Sequence, residues 1–346
     1  MIGRRTVTKA VPATLIPGDG IGPEISDAVV QILDAVNAPF EWDRQFGGLA
    51  GIEQGGEPMP QATLDSIRRT KLALKGPLTT PVGGGFRSVN VRLRETFGLY
   101  ANVRPAKTLV SGGRYDDIDI VLIRENLEGL YVAFEHFIPV GDDPQAVAIS
   151  QGINTKAECR RIVKYAFDYA LANGRKKVTV VHKANVLKAL TGIFLAAGKE
   201  IAKEYEGRVA MDDRIVDACA MQLVMKPEQF DVIVTTNLFG DILSDQIAGL
   251  VGGLGMAPGA NIGPDAAIFE AVHGSAPDIA GKGIANPLAL LLAACLMLEH
   301  VGEGAKAEAI RKAVDTVLNT DNIRTGDLGG NTSTKDFAAA IVKRLA

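Results

Sequence analysis

Apolar positions along the chain fall into short continuous runs, separated by turn residues and by stretches of helical period. Thr14-Leu15-Ile16 is a compact apolar strand that stops at Pro17-Gly18-Asp19-Gly20-Ile21-Gly22-Pro23-Glu24, and Ile25 to Val36 then repeats its apolar residues at helical spacing. Further strands are expected at Leu72-Ala73-Leu74, Ile118 to Ile123, Val178 to Val181 and Val232 to Thr235, with helices over Lys156 to Asn173 and Gly192 to Tyr205. Strands that alternate with helices build an α/β protein around a largely parallel sheet. The longest apolar run, Leu288 to Leu298, is too short for a bilayer and ends at Glu299-His300, so it reads as a buried helix. Gly83-Gly84-Gly85 and Gly252-Gly253-Leu254-Gly255 mark hinges or close-approach loops.

At 346 residues the chain exceeds the usual size of one domain, and two lobes are expected. The net charge of −3 points to neither nucleic acid nor an anionic membrane as partner. Cys159, Cys219 and Cys295 lie far apart with no Cys-x-x-Cys pair, which argues against a disulfide framework or a zinc site and fits a reducing compartment. Arg4, Arg5 and Lys9 have no apolar stretch behind them, unlike a secretory signal, and a cytoplasmic location is expected.

Gly18-Asp19-Gly20-Ile21-Gly22 imitates a dinucleotide fingerprint, lying between a strand and a helix. The third glycine of that fingerprint would fall on Pro23, which suits a helix first turn and not close packing around a pyrophosphate.

The stronger chemical signal is Asn237-Leu238-Phe239-Gly240-Asp241-Ile242-Leu243-Ser244-Asp245, directly after the apolar run Val232 to Thr235. On a helix beginning near Asp241, Asp241 and Asp245 project from one face at the carboxyl end of a strand, where α/β proteins bind ligands. Oxygen-only ligands suit Mg²⁺ or Mn²⁺. The plain alternative is an N-terminal helix charge beside a solvated carboxylate. Arg87, Arg92, Arg94, Arg104 and Arg124 lie near glycines, strand ends and turns; converging guanidinium forks suggest a polyanionic small substrate, with ordinary surface ion pairs as the alternative. Ser88 and Asn90 offer hydrogen bonds to a further carboxylate.

Tyr131 and Lys183 each sit just beyond an expected strand; a lysine acts as a base near neutral pH only if burial or nearby positive charge lowers its pKa. A hydrogen-bonded tyrosine and a snorkelling lysine are the structural alternatives. His273-Gly274-Ser275-Ala276-Pro277-Asp278 is a turn-rich loop whose small residues allow a flat ligand to approach the backbone; Asp278 can accept from a ribose diol and repel a 2′-phosphate.

Together these segments resemble the β-decarboxylating dehydrogenase family, which comprises isocitrate, 3-isopropylmalate, homoisocitrate and tartrate dehydrogenases, from Ile16 through Asn331. The resemblance implies a two-lobed, non-Rossmann α/β fold, with residues 1–99 and 252–346 in a large cofactor-binding lobe. Residues 100–251 would form a small lobe with a dimer arm. It implies a homodimer with shared active sites. Arg94, Arg104 and Arg124 resemble the substrate-carboxylate clamp, with Ser88 and Asn90 beside it, and Tyr131 the proton donor. Lys183 and Asp217 resemble groups donated from across the dimer interface, Asp217 joining Asp241 and Asp245 around Mg²⁺ or Mn²⁺. Thr79, Asn185, Glu270, His273, Gly274, Ser275, Ala276, Asp278, Ile279 and Asn286 resemble cofactor contacts. Asp278 and Ile279 stand where NADP-linked members are similar in carrying lysine and tyrosine, so NAD is the implied cofactor. Ser88-Val89-Asn90 resembles the isocitrate branch, because polar residues there would be left unpaired against an alkyl tail. The expected reaction is therefore oxidative decarboxylation of a tricarboxylate, isocitrate, to 2-oxoglutarate. Homoisocitrate, kept open by Arg92, and 3-isopropylmalate are the alternative substrates; a non-catalytic regulatory subunit is the alternative outside enzymes.

Overall fold

The computed structural model describes residues 10–79, 88–111 and 115–345. Gly83-Gly84-Gly85 and Arg87 lie outside the described residues. Ten of the described strands form one sheet. In spatial order they are β2 (Phe40–Arg44), β1 (Val11–Ile16), β3 (Leu72–Lys75), β12 (Ala267–Ala271), β11 (Pro258–Ile262), β4 (Ala101–Lys107), β5 (Asp119–Glu125), β10 (Val232–Thr235), β8 (Lys177–His182) and β9 (Ala210–Ile215). A separate antiparallel ribbon joins β6 (Gly129–Val140) to β7 (Asp143–Ile153).

The apolar strands expected from sequence are present, and the sheet is largely parallel as expected, with an antiparallel stretch at its centre. β11 runs antiparallel to β12 and to β4, and β4 antiparallel to β5, whereas the flanking ladders are parallel. β11 and β12 reverse through a tight turn closed by Gly263 N–H donating to Ala266 O at 2.9 Å. β4 and β11 carry Asn102, Arg104 and Asn261 at buried positions, so neither reads as an apolar run. Their polar side chains are satisfied by one another and by Ser244, Asn126 and Glu270, which permits burial in mid-sheet.

The expected helices form with shifted ends. α1 (Gly22–Ala35) starts three residues before Ile25, with Pro23 in its first turn; α5 (Lys156–Ala172) is capped by Thr155 Oγ1 accepting from Glu158 N at 3.2 Å. The stretch from Gly192 ends as α6 (Gly192–Ala202) plus a 3₁₀ turn, Lys203–Tyr205. α9 (Leu288–His300) is buried almost all round, as its unbroken apolar run requires. Among the described residues no helix is long and apolar enough to cross a membrane.

Alternation along the strands sorts the core into layers. Leu72, Leu74, Val121 and Ile123 join one cluster that runs under α1, α5, α6, α9, α10 (Gly304–Asp315) and α11 (Thr334–Leu345). The intervening positions feed two separate clusters. Ala73 packs with α3 (Gln61–Thr70) and α4 (Val89–Phe97), while Ile120 and Leu122 pack with α7 (Val216–Met225) and α8 (Asn237–Leu250). One side of the sheet is thus covered continuously and the other is split, and the gap between α4 and α8 is where a cleft forms.

Leu291 in α9 is fully buried in the continuous core. Leu291→Ala is expected to cost about 2–5 kcal/mol of unfolding free energy, measured by urea denaturation.

Candidate active site

The cleft between α4 and α8 has a volume of about 280 Å³. From the expected site residues it gathers Ser88, Asn90, Arg94, Arg104, Arg124, Tyr131, Asp241, Asp245, Glu270, His273 and Gly274. α8 begins at Asn237, four residues earlier than expected, so Asp241 and Asp245 lie one turn apart within the helix. Arg124 is the penultimate residue of β5, and its Nε and Nη2 donate to Asn237 Oδ1 at 3.0 and 2.8 Å. Its stem crosses Gly240, where an added Cβ would come within 2.5 Å of Arg124 Cγ. Glycine at 240 is what lets an arginine lie flat on this helix.

The charges are concentrated. Arg94, Arg104 and Arg124 retain 8%, 9% and 1% of their exposure. Asp241 takes an ion pair from Arg124 and a hydrogen bond from the Tyr131 hydroxyl, and Arg104 lies 3.6 Å from Asp241 and 3.4 Å from Asp245. Burial opposes ionisation of Asp241, but Arg124, the Tyr131 bond and Arg104 outweigh it and lower its pKa. Burial raises the pKa of Asp245, aided by repulsion from Asp241 and opposed by Arg104. Arg94 falls to about 10 through burial and then repulsion from Arg124. The Tyr131 phenol is raised by burial and by its bond to Asp241, which keeps its proton on at neutral pH. The Arg124 guanidinium also lies 5.0 Å from the centre of the Tyr131 ring.

On the opposite wall, Lys75 at the end of β3 pairs with Glu270 of β12 at 2.8 Å, both almost without exposure. Burial would raise Glu270, yet Lys75, Arg94 and the Asn261 hydrogen bond hold it down to about 2. Lys75 was not among the expected site residues; the signal that could have found it is a lysine closing an otherwise apolar strand. His273 has Nδ1 against Gly274 O at 2.9 Å, while its Nε2 is buried with no protein partner, an orphan that suits a ligand group. The Asn90 amide oxygen is likewise buried without a partner.

The glycine motif after β1 serves the loop beyond β12. A Cβ at Gly20 would sit 2.0 Å from Ser275 O, and one at Gly18 would sit 2.2 Å from Pro77 O. Asp19 accepts from the backbone N–H of Thr79 at 2.7 Å, and the Thr79 hydroxyl meets that of Ser275 at 2.7 Å. Glu24 accepts from Gly283 N and Ala285 N at 3.2 and 3.1 Å. Asn286 Nδ2 donates to Asp327 at 2.9 Å, which fastens the segment at 324–330 to the same loop. Thr79, Ser275, Ala276, Asp278, Ile279 and Asn286 therefore frame the region beside the cleft without lining it, and Asp278 is exposed.

Three expected residues are elsewhere. Lys183 and Asp217 pair with each other, and exposed Asn185 lies in the turn after Lys183; none lines the cleft. Arg92 is turned to Glu57 at 3.0 Å and is also absent from the lining. The three cysteines are buried and free, their thiols pushed up to about 12 by burial.

A model of the isocitrate/isopropylmalate dehydrogenase family matches residues 13–341. The chain belongs to that family. Its solved relatives include an isocitrate dehydrogenase from Methylococcus capsulatus, 56% identical over 96% of this chain and 99% of that one, with a TM-score of 0.93. Curated relatives include a regulatory subunit of the NAD isocitrate dehydrogenase of Dictyostelium discoideum, 45% identical over 98% of this chain and 93% of that protein. Catalytic subunit 5 of the Arabidopsis thaliana enzyme is 44% identical over 98% and 89%. Both are mitochondrial proteins, as are the fly and bovine relatives, and this overturns the expectation of a cytoplasmic location drawn from the N-terminus and cysteines.

Three guanidinium groups around one family cleft should attract a polycarboxylate before any metal is added. Citrate at one hundred times its dissociation constant is expected to stabilise the chain by about 2.7 kcal/mol, read as a rise of several degrees in melting temperature. Chloride at equal ionic strength should give no such rise, and Arg104→Lys should remove most of it.

Proposed function

We propose that the chain oxidises and decarboxylates isocitrate to 2-oxoglutarate and CO₂ with NAD as oxidant and Mg²⁺ or Mn²⁺ as the metal. The observation that carries this is the charge inventory of the cleft. Lys75, Arg94, Arg104 and Arg124 face Asp241, Asp245 and Glu270, leaving one positive charge that a divalent cation plus a trianion brings to neutrality. A dicarboxylate with an alkyl tail leaves both the charge and the Ser88 and Asn90 side chains unanswered. Arg92, the residue that favoured homoisocitrate, is engaged by Glu57 outside the lining. The relatives named NAD isocitrate dehydrogenase support the same substrate and cofactor.

Arg94, Arg104 and Arg124 hold the substrate carboxylates, with Ser88 and Asn90 on the third. Asp241 and Asp245 hold the metal, and a purely carboxylate donor set fits a hard cation. Among the described residues no group of three His, Cys, Asp or Glu side chains converges, and in this reading Asp217 of the partner subunit joins Asp241 and Asp245. A divalent cation bound by Asp241 and Asp245 would supply Lewis-acid stabilisation of negative charge on the substrate oxygen, and a bound NAD would supply the hydride acceptor. Tyr131, protonated and fixed by Asp241 and Arg124, delivers the proton to the decarboxylated carbon. Lys183 takes part in the first proton transfer. The loop around His273 to Asn286, with Thr79, Asn185, Glu270, Asp278 and Ile279, holds the cofactor.

A second copy of the chain completes the site. Lys183 and Asp217 stand ready as a pair outside their own cleft, and Asp217 is exposed. Phe134, Phe137, Ile138 and Val140 of β6, Met221 and Met225 of α7, and Ile242 of α8 are exposed apolar residues of the kind a subunit interface covers. In this arrangement the partner copy brings Lys183 and Asp217 to the cleft. Residues 1–99 and 252–346 form one lobe and 100–251 the other, meeting where β11 pairs with β4. The competing reading, a regulatory subunit, has the Dictyostelium relative's name in its favour.

Purified alone, the chain is expected to form NADH from isocitrate with Mg²⁺, and to lose activity on chelation. Homoisocitrate, 3-isopropylmalate, malate and tartrate should be turned over at least tenfold less well; no NADH from isocitrate would favour the regulatory reading. Asp278→Ala is expected to raise kcat/KM for NADP relative to NAD by about tenfold, since one repulsive charge near a 2′-phosphate is worth roughly 1 kcal/mol or more.

A further inference from the structure

The two halves of the sheet meet at one antiparallel ladder, where Asn261 of β11 stands directly opposite Asn102 of β4. Both are buried, at 3% and 0% exposure. An amide in mid-sheet is costly unless each of its polar groups finds a partner. Here the partners are side chains of the cleft or of this seam, apart from the Ile268 backbone carbonyl, to which Asn261 Nδ2 also donates at 3.3 Å. Arg104 Nε donates to Asn102 Oδ1 at 2.7 Å, so the Asn102 amide nitrogen turns to Asn261 Oδ1 at 2.6 Å. Asn126 Nδ2 donates to the same oxygen at 3.0 Å, and Asn261 Nδ2 donates to Glu270 Oε1 at 2.7 Å. Glu270 Oε2 meets Lys75 at 2.8 Å.

The chain of bonds has one polarity. Turning either amide over sets donor against donor or acceptor against acceptor, so the cation Arg104 at one end and the anion Glu270 at the other dictate both orientations. Neither asparagine is among the residues lining the cleft, whereas Arg104 and Glu270 both are. Connected bonds of this kind in a dry interior behave as one unit.

We propose that Asn102 and Asn261 are positioning residues, an amide relay across the seam that holds the Arg104 guanidinium at its substrate-binding angle by anchoring it to the Lys75–Glu270 pair. The proposal rests on Arg104 being a carboxylate ligand, as in the proposed function. Its distinguishing feature is direction: Asn102 acts on the Arg104 end of the relay, toward the tricarboxylate, whereas Asn261 also holds Glu270 on the cofactor side.

The test is a double-mutant cycle on the full chain with Asn102→Ala, Asn261→Ala and both together. Isocitrate affinity with Mg²⁺ is measured by calorimetry, NADH affinity by fluorescence, and melting temperature alongside. Each single change is expected to weaken isocitrate about tenfold, near 1.4 kcal/mol, with NADH affinity held within twofold in Asn102→Ala, which leaves the Asn261–Glu270 bond in place. The double variant should be no weaker than either single one, because one relay is broken once. Losses that multiply to a hundredfold, or singles that bind isocitrate like wild type while melting lower, overturn the relay. If an alanine variant does not fold, Asn261→Ser, polar but too short to span both partners, carries the same expectation. Wild type that binds isocitrate yet forms no NADH overturns the reaction alone, with the relay still judged by affinity; wild type that does not bind isocitrate overturns both.

Discussion

The cleft depends on three guanidinium groups kept almost wholly out of water. Desolvating one such cation costs several kcal/mol, and a partner carboxylate returns that only with good geometry. Arg124 has such geometry, clamped by Asn237 and Asp241 on a helix whose Gly240 leaves room for its stem. Arg104 is braced from two sides, by Asn102 behind it and by Ser244 with the α8 carboxylates in front. Arg94 has neighbours of its own sign, and its pKa is lowered for that reason as well as by burial. Packed apolar residues would stabilise this region more. The cluster makes physical sense as a preformed field for an anion, in which the protein has met the desolvation cost before the ligand arrives.

The opposite wall applies the same logic with reversed sign. Glu270 is a buried anion held by Lys75 and an amide, and beside it the His273 imidazole keeps one nitrogen without a protein partner. A wall of buried cations and a wall holding a paired anion, in a gap left by a split core, give a site whose polarity is set by the backbone elements beneath it. Strand ends supply Lys75 and Arg124, and a helix supplies both aspartates.

Much of this was legible in the residue order. Val232 to Thr235 followed by Asp241 and Asp245 announced a strand, a helix and paired carboxylates, because an unbroken apolar run and an i, i+4 spacing are local signals. Pro23 argued against a dinucleotide fingerprint, and the motif braces Thr79 and the 275–285 region through Asp19 and Glu24. What stayed hidden was non-local. β4 and β11 hold polar residues whose partners are over a hundred positions away, so no window of sequence reveals them as central strands. α8 starts at Asn237, four residues before the expected position near Asp241, and Asn237 is buried under Arg124. Arg92 and Arg104 were indistinguishable as letters and have opposite fates, one turned to Glu57 and one buried.

The strand order has a consequence for how the chain is made. β3 and β4 belong to the first third of the sequence, yet the strands that lie between them, β12 and β11, span residues 258–271. A chain emerging from the ribosome therefore carries two partial sheets with open edges until most of it has been synthesised. Closing that gap is a late event, and an unfilled edge in the meantime is the stage at which such a chain is open to mispairing.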